Sequence, residues 1–164
     1  MPVQLILVRH AKSDWGAGAT DRERPLNDRG VRQAPATGEW AAGQFGEIDL
    51  AVVSVAERAQ QTWRLVSQHL DPLPDVTDSE AAYTFDGEEL ADLVVDLPDA
   101  ASTVILVGHN PALEELIEMA TGNFVPMPTS AVAVLRLNSW SGIGVGDGVV
   151  AAAGRPADDR WTVL

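Results

Sequence analysis

The stretch Val3–Trp15, VQLILVRHAKSDW, decides the fold. Five apolar residues interrupted only by Gln4 (Val3, Leu5, Ile6, Leu7 and Val8) read as a strand buried on both faces, the signature of a parallel sheet covered by helices. The run stops abruptly at Arg9-His10. In open α/β sheets, ligands bind beyond the carboxyl ends of the strands. A strand that delivers a cation and a titratable nucleophile to that edge is a candidate functional site.

The pattern repeats downstream. Leu50–Val53 (LAVV) is a second apolar strand ending at Ser54, and from Glu57 the run ERAQQTWRLVSQHL has helical spacing, so Arg58 stands at the start of a helix that follows a strand. Thr103–Val107 (TVILV) is a third strand, ending in Gly108-His109-Asn110-Pro111. Pro111 suits the start of the next helix, and Gly122 its end. Asn27 reads as the N-cap of a helix over 28–44, with Val31, Ala34, Ala41, Ala42 and Phe45 on its inner face and a kink expected at Pro35. Residues 75–77 suggest a short strand and 87–97 an amphipathic helix, with Leu90, Leu93, Val94 and Leu97 at i, i+3, i+4, i+7 spacing. Residues 131–137 and 148–153 read as strands pairing antiparallel around a short Gly-rich turn, GIGVGDG. That run lacks the Lys-Ser/Thr of a phosphate loop. Alternation of strand and helix through residue 122 predicts an α/β architecture with a mostly parallel sheet, in a single domain over 1–164.

Composition narrows the function. The 164 residues carry a net charge of −13, which argues against nucleic acid and anionic membranes as partners. Residues 1–36 nevertheless hold six of the eleven Lys and Arg (Arg9, Lys12, Arg22, Arg24, Arg29, Arg32) against four acids, a local +2 that leaves −15 for the remainder. An acidic chain that gathers cations around one strand end is equipped to hold an anion. Cysteine is absent, so thiolate catalysis and thiolate metal sites are excluded. The first strand begins at residue 3 and there is no 18-residue apolar run; no signal peptide is expected, and the cytoplasm is the default compartment.

Arg9-His10, Arg58 and His109 converge on one sheet edge if the sheet is parallel. Two arginines, whose planar forks match phosphate oxygens, and two histidines make an anion site with a nucleophile. Cations flanking the histidines make a poor metal site, and no GxSxG elbow supports a serine hydrolase. His69, near a helix end among polar residues, is expected at the solvated surface.

The segments LILVRHAKSDW, DRERPLNDRG, SVAERAQQTW and VILVGHNPALEEL, in this order and nearly spanning the chain, resemble the histidine phosphatase (phosphoglycerate mutase-like) superfamily. Within it, RHAKSDW, RPLNDRG and MPTSAVAVL are most similar to the SixA-type phosphohistidine phosphatase branch. The resemblance implies a three-layer α/β/α sandwich with a mostly parallel central sheet, and a phosphatase that needs neither metal nor organic cofactor. It makes His10 the nucleophile that forms a phosphohistidine intermediate. Arg9 and Arg58 grip the phosphoryl oxygens, a protonated His109 completes the pocket, and Ser13 touches phosphate. For the proton donor, Asn110 stands where one branch carries Asp, and Glu80 is the best-placed carboxylate, with Asp86 and Glu88 as alternatives. The substrate implied is phosphohistidine in a protein. The alternatives are a small phosphate ester such as a nucleotide or sugar phosphate, or a non-catalytic phosphate-binding role. Only about 50 residues separate Arg58 from His109, too few for a large lid, so an open site is expected.

Overall fold

The structure is a computed structural model that describes residues 2–158 and 160–163. Strand β1 (Val3–Arg9) runs through its middle, with Leu5, Ile6, Leu7 and Val8 fully buried. Successive side chains of a strand face opposite ways. Leu5 and Leu7 accordingly enter one apolar cluster and Ile6 and Val8 another. The remaining strands are β2 (Leu50–Ser54), β3 (Asp75–Ser79), β4 (Thr103–Gly108), β5 (Val132–Leu137), β6 (Val149–Arg155) and β7 (Arg160–Val163), in the spatial order β3-β2-β4-β1-β5-β6-β7. The first four in that order pair in parallel and the last three join antiparallel.

Helices α1 (Asp28–Gln44) and α2 (Glu57–Ser67) pack together on one face, and α3 (Gly87–Val95) and α4 (Ala112–Thr121) on the other. The result is the expected three-layer α/β/α sandwich. Asn27 caps α1 by accepting from the Gly30 N–H at 2.9 Å, and Gly122 ends α4 at φ 75°.

Two expectations need correction. The inner face of α1 is Gly30, Gln33, Ala34, Thr37, Gly38 and Ala41, whereas Val31 is 47% exposed and Ala42 also faces solvent. Size rather than apolarity selects that face: a Cβ at Gly38 would stand 2.5 Å from the Val66 carbonyl oxygen on α2, and one at Gly30 2.1 Å from the carbonyl oxygen of Lys12. Neighbouring backbones approach too closely there for any side chain. Helix α1 continues through Pro35. Finally, β5 and β6 are joined by an eleven-residue connection, 138–148, not a short turn. It folds back onto the body, burying Trp140 and Ile143, with the Trp140 indole donating to the Ala101 carbonyl. The sequence reading placed no strand at β7. His69, expected at the solvated surface, is half-buried against Gly38.

Candidate active site

Strands β1 and β2 send their chain to the α1/α2 face, whereas β4, lying between them, sends its chain to the α3/α4 face. Divergent exits of this kind open a crevice at the carboxyl edge. The β1–β4 register pairs Arg9 with Gly108, so the next residues, His10 and His109, stand side by side with ring centroids 5.2 Å apart. The spacing of two separate sequence runs thus becomes one geometric fact.

The hydrogen bonds of His10 define its proton. Its Nδ1 lies 2.8 Å from the Ala11 carbonyl oxygen, which only accepts, so Nδ1 carries the hydrogen and Nε2 keeps a lone pair. Burial, then the neighbouring His109, with Arg58 and Arg9 adding to it, holds the ring well below the ordinary histidine pKa. His10 is a neutral imidazole with an unprotonated Nε2.

His109 is 1% exposed, and its Nε2 lies 2.7 Å from the Ser54 hydroxyl. Ser54 Oγ also accepts from the Ala56 N–H at 3.3 Å, so its own hydrogen can be given to Nε2, which leaves the hydrogen of His109 on Nδ1. That Nδ1 is buried and has no protein partner. Burial first and Arg58 second lower the His109 pKa to about 3. Against the protein's own charges His109 is neutral, which corrects the expectation of a protonated ring; a phosphoryl dianion beside it would raise that value.

The cations follow. Arg58, 1% exposed, donates through Nη1 to the Asp21 carbonyl oxygen at 2.5 Å and through Nη2 to Asp21 Oδ2 at 3.2 Å. Arg9 donates to the Met127 carbonyl at 2.9 Å. Arg24, 6% exposed, donates to Asp21 Oδ1 at 3.3 Å and lies 3.5 Å under the Trp15 ring. Each guanidinium keeps a buried Nε without a protein acceptor, and Arg24 an unanswered Nη1 as well. Two buried cations and one half-buried one, all incompletely paired, make a site whose charge is completed by an anion. Thr62 ties the parts together: its hydroxyl accepts from the Ala11 N–H at 3.0 Å and donates to the Arg58 carbonyl at 2.7 Å, fixing the His10 segment to the helix that carries Arg58.

The structure therefore brings Arg9, His10, Arg58 and His109 together. Ser13 is buried in the loop that follows β1, its backbone bridging Leu26. Glu80 accepts from both terminal nitrogens of Arg22, at 2.6 and 3.1 Å, with its side chain 68% exposed. Asp86 caps α3 and Glu88 faces solvent. No three His, Cys, Asp or Glu side chains among the described residues gather as metal ligands, and no described helix is long and apolar enough to cross a membrane. Sequence reasoning missed Ser54, Asp21, Arg24 and Tyr83. Ser54 ends a strand, so the rule that found Arg9-His10 applies to it too. Asp21 and Arg24 were visible only as charges, and Tyr83 as a loop aromatic.

A profile of the histidine phosphatase superfamily (branch 1) matches residues 5–82. The phosphohistidine phosphatase SixA of Escherichia coli is 31% identical over 144 residues, 83% of this chain and 86% of that protein. Among solved structures, a SixA homologue from Nakamurella multipartitia superposes with a TM-score of 0.80 at 26% identity, covering 95% of this chain and 97% of that one. The protein histidine phosphatase SixA solved with tungstate superposes at 0.82 and 24% identity over 96% and 100%, a likeness of fold. The chain belongs to the histidine phosphatase superfamily and is a phosphatase.

Proposed function

We propose that the protein dephosphorylates phosphohistidine in proteins, through a phosphohistidine formed on its own His10 and without a cofactor. His10 Nε2 attacks the phosphorus, the bond to the leaving group breaks, and water then cleaves the enzyme's P–N bond to release phosphate. Phosphoryl transfer depends mainly on positioning and charge stabilisation. Arg9 and Arg58 supply charge to the phosphoryl oxygens, and the Nδ1–H of His109 supplies a further donor.

The observation that carries this reading is the Nδ1–H bond from His10 to the Ala11 carbonyl. It leaves Nε2 unprotonated, in a ring too weakly basic to be quenched by a proton near neutral pH. The substrate class is supported by the extended similarity to SixA. It is also supported by the carboxylates nearby. Glu80 is paired with Arg22, and Asp21 is held ionised: although burial opposes it, the Tyr83 hydroxyl bond and Arg58 keep its carboxyl below the ordinary value. Neither is set up as an acid for a poor leaving group, and a phosphoramidate that departs as imidazole needs less acid help than an ester.

The test is to incubate the protein with a protein carrying 32P-phosphohistidine, quench, and map the acid-labile label. Label on His10, lost together with turnover in His10→Ala, is the expected result. Unlabelled His10 with turnover intact in the variant overturns the mechanism.

A further inference from the structure

We propose that Asp21 receives the leaving group: its carboxylate accepts the N–H on the substrate imidazole nitrogen that does not carry the phosphoryl group. The protein thereby favours phosphohistidine over phosphate esters. The inference rests on the substrate reading above and adds the residue that enforces it.

The geometry is that of an acceptor at the mouth of a cationic pocket. Asp21 lies in the loop between β1 and α1, its side chain 45% exposed, while the arginines it binds are 1% (Arg58) and 8% (Arg24) exposed. Oδ2 accepts from Arg58 and from the Tyr83 hydroxyl, and Oδ1 accepts from Arg24. A carboxylate offers about four acceptor positions, so Oδ1, with one donor, keeps one in reserve. Anchorage to Arg58 places the carboxylate one guanidinium away from the phosphoryl oxygens. Beside it, Tyr83 and Phe85 pack with ring centroids 5.5 and 5.6 Å from His109, and Phe85 is 47% exposed. Two aromatic faces at the entrance suit a flat heterocycle.

The chemistry gives the carboxylate its role. An N-phosphoryl imidazole whose other nitrogen is unprotonated must leave as an imidazolide anion. With a hydrogen on that nitrogen it leaves as neutral imidazole. A fixed anion beside the ring favours the protonated form. As the His10 Nε2–P bond forms, the substrate P–N bond breaks and its electron pair stays on the departing nitrogen. The hydrogen on the other nitrogen remains there, bonded to Asp21. A phosphate ester leaves as an alkoxide that has no N–H to donate and must be given a proton, which an ionised Asp21 does not supply.

The experiment compares kcat/KM for free phosphohistidine and for p-nitrophenyl phosphate, whose leaving group needs neither acid nor acceptor, in the wild type and in Asp21→Asn. A hydrogen bond to a charged group is worth about 10- to 100-fold. Phosphohistidine turnover is expected to fall by about that factor, while p-nitrophenyl phosphate falls by at most about threefold through looser support of Arg58. The variant's phosphohistidine activity is also expected to decline from a lower pH than the wild type's, because the substrate N–H is no longer stabilised. Asp21→Glu, which keeps the charge, should recover part of the ratio, and it serves as the second variant if Asp21→Asn does not fold. Equal losses on both substrates with an unmoved pH profile would make Asp21 a prop for Arg58 and overturn the proposal, as would undiminished phosphohistidine turnover. A wild type that cleaves p-nitrophenyl phosphate but neither free phosphohistidine nor the phosphohistidine-bearing protein overturns the substrate reading and this inference with it. A wild type selective for phosphohistidine, with an equally selective variant, overturns the Asp21 role alone.

Discussion

The floor of the site and its rim are held in place by different forces. The floor residues His10, Ser54, Arg58 and His109 are at most 6% exposed; sheet register positions the strand ends that carry three of them, and the first turn of α2 carries Arg58. The rim comes from two loops, 11–26 and 80–86. Asp21, Tyr83, Glu80 and Phe85 are partly or largely exposed there, positioned by side-chain hydrogen bonds that compete with water. Backbone ladders do not depend on which side chain they present, so a floor substitution deletes chemistry from an intact scaffold. Rim bonds are both the structure and the contact surface, so substitutions there should alter selectivity more than rate.

The largest expected effect tests the floor. His10→Ala should lower kcat by about 10³-fold or more on every substrate, the scale of losing a nucleophile, while thermal unfolding of the sheet changes little. Steady-state rates with p-nitrophenyl phosphate and a melting curve check both halves. Substantial residual turnover would mean that chemistry does not run through the floor.

Arg58 joins the two regions, since its guanidinium belongs to the floor and its partner Asp21 to the rim. Lysine offers a point charge and no fork. Arg58→Lys should therefore reduce kcat/KM by about 10²-fold and weaken vanadate inhibition as well. A loss confined to KM for large substrates would place Arg58 functionally with the rim instead.

Acid should weaken the floor before the rim. The folded-state pKa values of His10 and His109 lie below the unfolded value, His109 at about 3. The unfolded chain then binds more protons between that value and the ordinary 6.5, and stability falls as pH drops through this window. Each histidine contributes up to about 1.4 kcal/mol per pH unit. Denaturant midpoints measured from pH 7 to pH 4 should decline, and His109→Gln should flatten the slope. A slope unchanged in that variant would remove His109 from the account.

Legibility in the sequence followed the same division. Apolar runs β1, β2 and β4 end in Arg9-His10, Ser54 and His109, so strand periodicity plus the rule for parallel sheets placed most of the floor. The inner face of α1 was misread because hydrophobicity is a poor guide where backbones nearly touch; Gly30 and Gly38 mark the contact by what they lack. The rim was hidden for another reason. Asp21 meets Arg58 across 37 residues and Tyr83 across 62, through loops whose path no local periodicity records. Strand β7 is four residues long, with no run long enough to register.

The smallest expected effect is also the sharpest test of the rim. As a proton donor, Glu80 would be indispensable for any ester with a poor leaving group. As placed, its carboxylate accepts from both terminal nitrogens of Arg22 at the surface, an arrangement whose contribution is ordinarily slight. Glu80→Gln removes the charge and the acid function while keeping the shape. Turnover of p-nitrophenyl phosphate and of phosphohistidine should each change by less than about twofold. If the loss instead reached about tenfold and grew as the leaving group worsened, in the way general acid catalysis requires, the Arg22 pair must open during turnover. The rim would then carry chemistry after all, and the separation between a reactive floor and a selective rim would fail at that residue.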